Sequence, residues 1–197
     1  MAVHKMLLHP ADPHCPSIAK DALTECLQSI GLIAAPVRIG SETIYPAGEY
    51  FLQLITFLGC SPAIEIELPT DTDSLEAASR DGRFCHVTVT GDGQNLQFRA
   101  ATKPAVPRCP QCRKPDPHWP ENLHSWQEDR QQLHWSCALC GYSGQLTDLN
   151  FRKSAGFART FIEIRGIYPA EAIPGEALLA SLQALSGCKW NILYINE

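Results

Sequence analysis

Apolar and polar positions along the chain alternate in a way that marks several short strands and two clear helices. Residues 2–8 make an apolar run of strand length, and a loop bearing Pro10, Pro13 and Pro16 follows. From Ser17 to Ile30 the apolar positions Ile18, Ala22, Leu23, Cys26, Leu27 and Ile30 recur every three or four residues. That period predicts an amphipathic helix with Ser17 as N-cap and Gly31 as its stop. Residues 63–68 alternate apolar with acidic, which predicts a half-buried strand. Residues 50–58 fit two templates. Phe51, Leu54, Ile55 and Leu58 have helical spacing, whereas the turn Gly59-Cys60-Ser61-Pro62 suits a strand paired with 63–68.

Residues 70–82 are polar, with a helical turn predicted after Asp73. Phe84–Thr90 and Leu96–Ala100 flank Gly91-Asp92-Gly93-Gln94-Asn95 and read as a hairpin. Later in the chain come a strand over 160–168, a helix over 174–186 and a closing strand over 188–195. The helix has Ala177, Leu178, Leu182 and Leu185 on one face and Gly187 as its stop. Strand–helix–strand at both ends, with hairpins between, predicts an α+β fold. Its sheet is mainly antiparallel with helices on one face, and a ferredoxin-like plait is the nearest named architecture. The last strand–helix–strand unit is too small to bury a core alone. The core domain is therefore expected to comprise 1–104 and 151–197, interrupted by a small module at 105–150.

Composition adds bounds. The 197 residues are 45% hydrophobic and 19% charged, which suits one globular domain plus a small module. The first ten residues hold no apolar run of signal-peptide length, and nothing approaches the roughly 20 apolar residues of a membrane span. The expectation is a soluble, cytoplasmic protein with no membrane partner. Net charge is −5, unevenly shared. Residues 99–165 hold ten Lys/Arg against six Asp/Glu, while the remainder holds six against fifteen. A basic stretch inside an acidic chain points to an anionic partner, although small exposed modules also carry charge simply to stay soluble.

The basic stretch contains the strongest chemistry. Cys109-Pro110-Gln111-Cys112 and Cys137-Ala138-Leu139-Cys140 are two Cys-x-x-Cys pairs, 24 residues apart. Each pair points two sulfurs to one side, and folding the intervening segment back brings four thiolates around one tetrahedral ion. The pattern resembles the zinc-ribbon class over roughly residues 105–150. Gly141 follows the second pair as that class expects, whereas Arg113 departs from it after the first. The resemblance implies one structural Zn²⁺ held by Cys109, Cys112, Cys137 and Cys140. Iron shares this ligand set and the Cys-Pro-x-Cys knuckle, and remains the alternative metal. The spacer is longer than roughly 15–20 residues, so an extended loop at the hairpin tip is expected. The other five cysteines read as scattered free thiols of a reducing compartment rather than a disulfide framework.

Elsewhere the signals are weaker. His4, His9, His14 and Cys15 match no ligand spacing and read as parts of a surface loop. Cys85 reads as a small buried hydrophobe, and Glu65 and Glu67 as a solvated edge. Cys60 is the only thiol that stands out as a candidate nucleophile, with no activating partner identifiable. Trp119, Trp126 and Trp135 crowd into the module, and Trp135 reads as ribbon core. Together with Arg113, Lys114 and Arg130, the loop residues Trp119 and Trp126 form the expected contact surface for a protein or nucleic-acid partner. Two functions follow. One is a zinc-binding adaptor presenting this basic, Trp-containing loop. The other is an α+β enzyme, thiol-dependent through Cys60, with a purely structural ribbon.

Overall fold

The computed structural model describes residues 4–58, 64–69, 72–81, 83–101, 103–168 and 171–196. The first part of the chain runs through β1 (His4–Pro10), α1 (Lys20–Ser29), β2 (Val37–Ile39), β3 (Glu42–Pro46), α2 (Phe51–Leu54), β4 (Ile55–Phe57) and α3 (Thr72–Arg80). Next come β5 (His86–Thr90), β6 (Gln97–Ala100), α4 (Trp119–Glu128), β7 (His134–Ser136) and β8 (Ser143–Gln145). The chain ends with β9 (Ala155–Ala158), β10 (Phe161–Arg165), β11 (Ala172–Pro174), α5 (Glu176–Ser186) and β12 (Trp190–Asn196).

The fold is α+β. Six strands form one sheet in the order β12-β1-β10-β5-β3-β2, and every neighbouring pair is antiparallel. Alternation along the strands gives this sheet two different faces. Met6 and Leu8 of β1, Ile162 and Ile164 of β10, and Val87 and Val89 of β5 form the apolar face. They pack with Leu23 and Leu27 of α1, Phe51 of α2, and Leu178 and Leu182 of α5. The i,i+4 pairs on α1 and α5 are what make those segments helical here, because each pair puts two side chains over one patch of the sheet. Gly187 ends α5 in the left-handed region, at φ 73°. Ser17 is not the cap of α1; the helix starts at Lys20, after Ala19, without a side-chain cap.

The opposite face is mixed and also buried: Leu7, Phe161, Leu193 and Ile195 form an apolar cluster on it, beside polar residues. Lys5 and His9 of β1, His86 and Thr88 of β5, and Glu163 of β10 lie on it at 0–9% exposure. Glu163 is surrounded by cations: Lys5 Nζ at 3.5 Å, Arg99 Nη2 at 3.7 Å and Arg165 Nε at 3.9 Å. Thr90 donates to it at 3.1 Å. Arg99 belongs to β6, so this cluster ties the β6–β9 ribbon to the main sheet. Helix α3 also covers this face, where Ser79 Oγ meets His86 Nε2 at 3.2 Å. Helices therefore occupy both faces, not one.

Three local expectations fail for identifiable reasons. Residues 50–58 are neither wholly strand nor wholly helix: one turn of helix, α2, leads directly into β4, which pairs with β11 rather than with 63–68. Residues 64–69 form no strand; they lie irregularly beside β5, with Glu65 O accepting from Cys85 N. The expected hairpin of 84–90 with 96–100 does not form, because β5 pairs with β10 and β3 while β6 pairs with β9. Gly91 enables the departure. Its φ is +97°, and a Cβ there would stand 2.2 Å from Arg159 O.

A disulfide joins Cys15 and Cys188, with a Cα–Cα distance of 6.3 Å. This corrects the expectation of free thiols throughout, and it fastens the proline-rich loop after β1 to the start of β12. That loop is not all surface, since Cys15 is buried in it, and His9 lies buried in β1 instead of in a loop. No described helix is long and apolar enough to cross a membrane.

Candidate metal centre

Cys109, Cys112, Cys137 and Cys140 converge, and their four sulfurs all lie within 4.8 Å of one another. Two edges of the cluster, Cys109–Cys140 and Cys112–Cys137, both measure 3.8 Å. Four sulfurs placed about 2.3 Å from a common ion stand about 3.8 Å apart along each edge of a tetrahedron. The donor set and its spacing thus fit a tetrahedral tetrathiolate metal site.

The backbone builds the two halves alike. In the first knuckle Arg113 N donates to Cys109 O at 2.9 Å, and Cys109 N donates to Lys114 O at 3.0 Å. In the second, Gly141 N donates to Cys137 O at 2.9 Å, and Cys137 N donates to Tyr142 O at 2.7 Å. Each turn closes through a residue with positive φ, Arg113 at 60° and Gly141 at 73°. Arg113 therefore takes the conformation that glycine would favour. Arg108 braces it, its Nη1 donating to Arg113 O at 2.9 Å.

Their surroundings shift the thiols of Cys137 and Cys140 in opposite directions. The backbone N–H of Leu139, helped by that of Cys140 and by neighbouring sulfurs, holds the Cys137 thiol down at about 7 against burial. The Tyr142 N–H pulls Cys140 the same way, but burial and the three other sulfurs outweigh it and put that thiol up at about 11. Four thiolates this close repel one another, and a bound dication removes the conflict.

A compact aromatic core supports the site. The expected extended loop is replaced by α4, on which Trp119 and Trp126 lie seven residues apart and face inward. Trp119 is 6% exposed and Trp126 is fully buried. Trp126 meets Phe157 edge-on at 5.0 Å, and Trp119 meets Phe151 edge-on at 5.0 Å. Neither indole is available as a contact residue, which corrects the expectation for both. The physical reason is that β6 and β9 supply Phe98 and Phe157, which close over the indoles. The apolar cluster of the module thus extends beyond positions 105 and 150 on both sides. Trp135 is core as expected, and its Nε1 donates to buried Asp116 at 2.8 Å. Asp116 also accepts from His118 N and from Asn122 Nδ2, both at 3.1 Å, and so ties the segment before α4 to its first turn.

Arg113, Lys114 and Arg130 are exposed. Arg130 stacks over the Trp126 ring, 4.1 Å from its centroid, and so covers the core instead of standing free. One exposed apolar residue escaped the sequence reading: Leu139, 55% exposed, sits in the second knuckle between two ligands. Its position between the paired cysteines was the available signal. Cys60 lies outside the described residues. Cys85 is buried, its thiol pushed up by burial to about 12, as a packing residue would be. Glu65 and Glu67 are exposed.

No protein family matches this chain, and no curated protein or solved structure compared with it is similar to it.

Proposed function

We propose that this protein is a zinc-dependent binding protein. One Zn²⁺ on Cys109, Cys112, Cys137 and Cys140 folds an inserted module that presents a basic knuckle surface to an anionic partner. The observation that carries this reading is the sulfur cluster, whose 3.8 Å edges match a tetrathiolate zinc site. The metal's role is structural, because all four tetrahedral positions are taken by protein sulfur and none is left for substrate. Arg113, Lys114 and Leu139 flank the ligands and are exposed, so they form the proposed contact surface. A metal-fixed base lowers the ordering cost of binding there.

An acidic protein surface is the favoured partner. The remainder of the chain carries six Lys/Arg against fifteen Asp/Glu, and its field repels a long polyanion. For the core, the reading is a ferredoxin-like plait with the module inserted between its second and third strands. Its support is the order β12-β1-β10-β5 with α1 after β1 and α5 after β10 on one face.

The test is affinity capture with the full zinc-loaded chain against the same chain carrying Arg113→Ala and Lys114→Ala. A partner lost from the variant while zinc content is unchanged supports the reading. Association unchanged in the variant removes this surface. A log–log salt slope of about −0.7 to −0.9 per neutralised phosphate would transfer the partner to nucleic acid.

A further inference from the structure

A cleft of about 540 Å³ opens where the module meets the main sheet. One wall is β12 with the end of β1, and the other is the turn that leads from the module into β9. Its lining holds cations, amides and apolar side chains, and no carboxylate.

Two features give it the character of a built site. The first is the turn itself. Arg152 and Lys153 are consecutive non-glycine residues with positive φ, 51° and 60°. This conformation is disfavoured for both, and it is stabilised by Asn150 Oδ1 accepting from Arg152 N at 2.9 Å. It places two exposed cationic residues in succession in the lining of the cleft.

The second is His9, which is 5% exposed at the cleft wall. Its Nδ1 lies 2.8 Å from Pro10 O, a carbonyl that can only accept, so Nδ1 carries the proton. The other nitrogen, Nε2, has no hydrogen-bond partner among the described residues. The edge of the ring lies close over Gly156, where an added Cβ would stand 2.9 Å from Cε1 and 3.1 Å from Nε2. Burial lowers the affinity of this imidazole for a second proton. A neutral His9 therefore offers an acceptor to whatever enters. Phe151, Phe157 and Leu193 supply the apolar part of the lining.

We infer that this cleft binds a small organic anion, with Arg152 and Lys153 holding a carboxylate or phosphate group, His9 Nε2 accepting from a hydroxyl or N–H of the ligand, and the apolar lining covering its body. This inference does not rest on the proposed partner surface, which involves other residues. It requires only that the module be folded.

The test uses the full zinc-loaded chain and a set of simple probes followed by amide NMR titration. Para-hydroxybenzoate carries both the charge and the donor, benzoate lacks the donor, and phenol lacks the charge. Phenyl phosphate reports whether a phosphate head group is preferred to a carboxylate. The expected result is saturable binding of para-hydroxybenzoate, tighter than benzoate or phenol. Amide shifts should be confined to residues 9–13, 147–157 and 191–193.

Arg152→Gln with Lys153→Gln should weaken binding about tenfold or more, the usual loss for a charge-assisted hydrogen bond. Gly156→Ala, which places a methyl against His9, should block binding with zinc content intact. No saturable binding of any of the three anions would overturn the inference. Equal affinity for phenol would also overturn it, as would undiminished binding in the charge-removed variant.

Discussion

Arg113 and Gly141 occupy equivalent places in the two knuckles. Each donates its backbone N–H to the first cysteine carbonyl of its own turn at 2.9 Å, and each has positive φ. Only one of them is glycine. The left-handed conformation costs roughly 1–2 kcal/mol in a residue with a Cβ, partly offset by glycine's greater freedom when unfolded. Arg113→Gly should therefore stabilise the module by up to about 1 kcal/mol, read as stronger retention of metal against a chelator. Gly141→Ala should weaken retention by a similar amount, since no neighbouring atom is there to clash and only φ is strained.

The burial of Trp126 sets a second expectation. Trp126→Ala removes a fully buried indole packed on Phe157 and should cost about 3–5 kcal/mol, releasing the module to proteolysis. Arg130→Ala removes only the cation above that ring and should cost about 1 kcal/mol or less. Thermal melts of the two variants check this. A harmless Trp126→Ala would mean the indole is not core.

His86 predicts a pH dependence. It is fully buried, and burial pushes its imidazole down to about 4, overriding the carbonyl of Phe84 that favours the proton. In the unfolded chain the same group titrates near 6.5. Above about pH 6.5 it is neutral in both states and costs nothing. As pH falls toward 4 the unfolded chain takes up a proton that the native state refuses, so stability falls by up to about 3 kcal/mol. Urea midpoints of wild type and His86→Gln should run parallel above neutrality and converge or cross below pH 6. Parallel curves down to pH 4.5 would contradict this.

The bridge between Cys15 and Cys188 closes a sequence separation of 173 residues. Chain entropy alone assigns such a crosslink roughly 5 kcal/mol at most, less in practice because the unfolded chain keeps some structure. Non-reducing peptide mapping of oxidised protein should recover the two cysteines as one pair. Cys188→Ser should melt below the oxidised wild type, and the difference should vanish in reductant. A map with both thiols free would contradict the bridge.

The parts of the fold that could be read from sequence share one property: their signal is local. The face formed by Leu23 and Leu27, the Gly187 stop, the apolar runs of β1, β10 and β12, and both knuckles are all short-range patterns. What failed depended on partners. Alternation in 63–68 promised a strand, but the described part of that stretch shares little more than the bond from Cys85 N to Glu65 O with the sheet. Residues 84–90 and 96–100 looked like partners because they are neighbours in sequence. Strand pairing is instead decided by the faces buried, and β5 found β10 beyond the whole module.

Helix α4 was hidden by the assumption of a loop. Yet Asp116, Pro120 near the first turn, and Trp119, Leu123 and Trp126 at helical spacing were all visible. The module's own apolar residues are too few to bury three indoles, and sequence alone does not show that Phe98 and Phe157 of the flanking ribbon cover Trp119 and Trp126.

The rest of the module depends on the metal. X-ray absorption at the zinc edge, on reduced and freshly purified full-length protein, tests for that metal most directly when paired with elemental analysis. The expected result is one zinc per chain with four sulfur neighbours at about 2.3 Å and no nitrogen or oxygen bound to it. Absence of stoichiometric metal, a shell containing light atoms, or iron in place of zinc would contradict it.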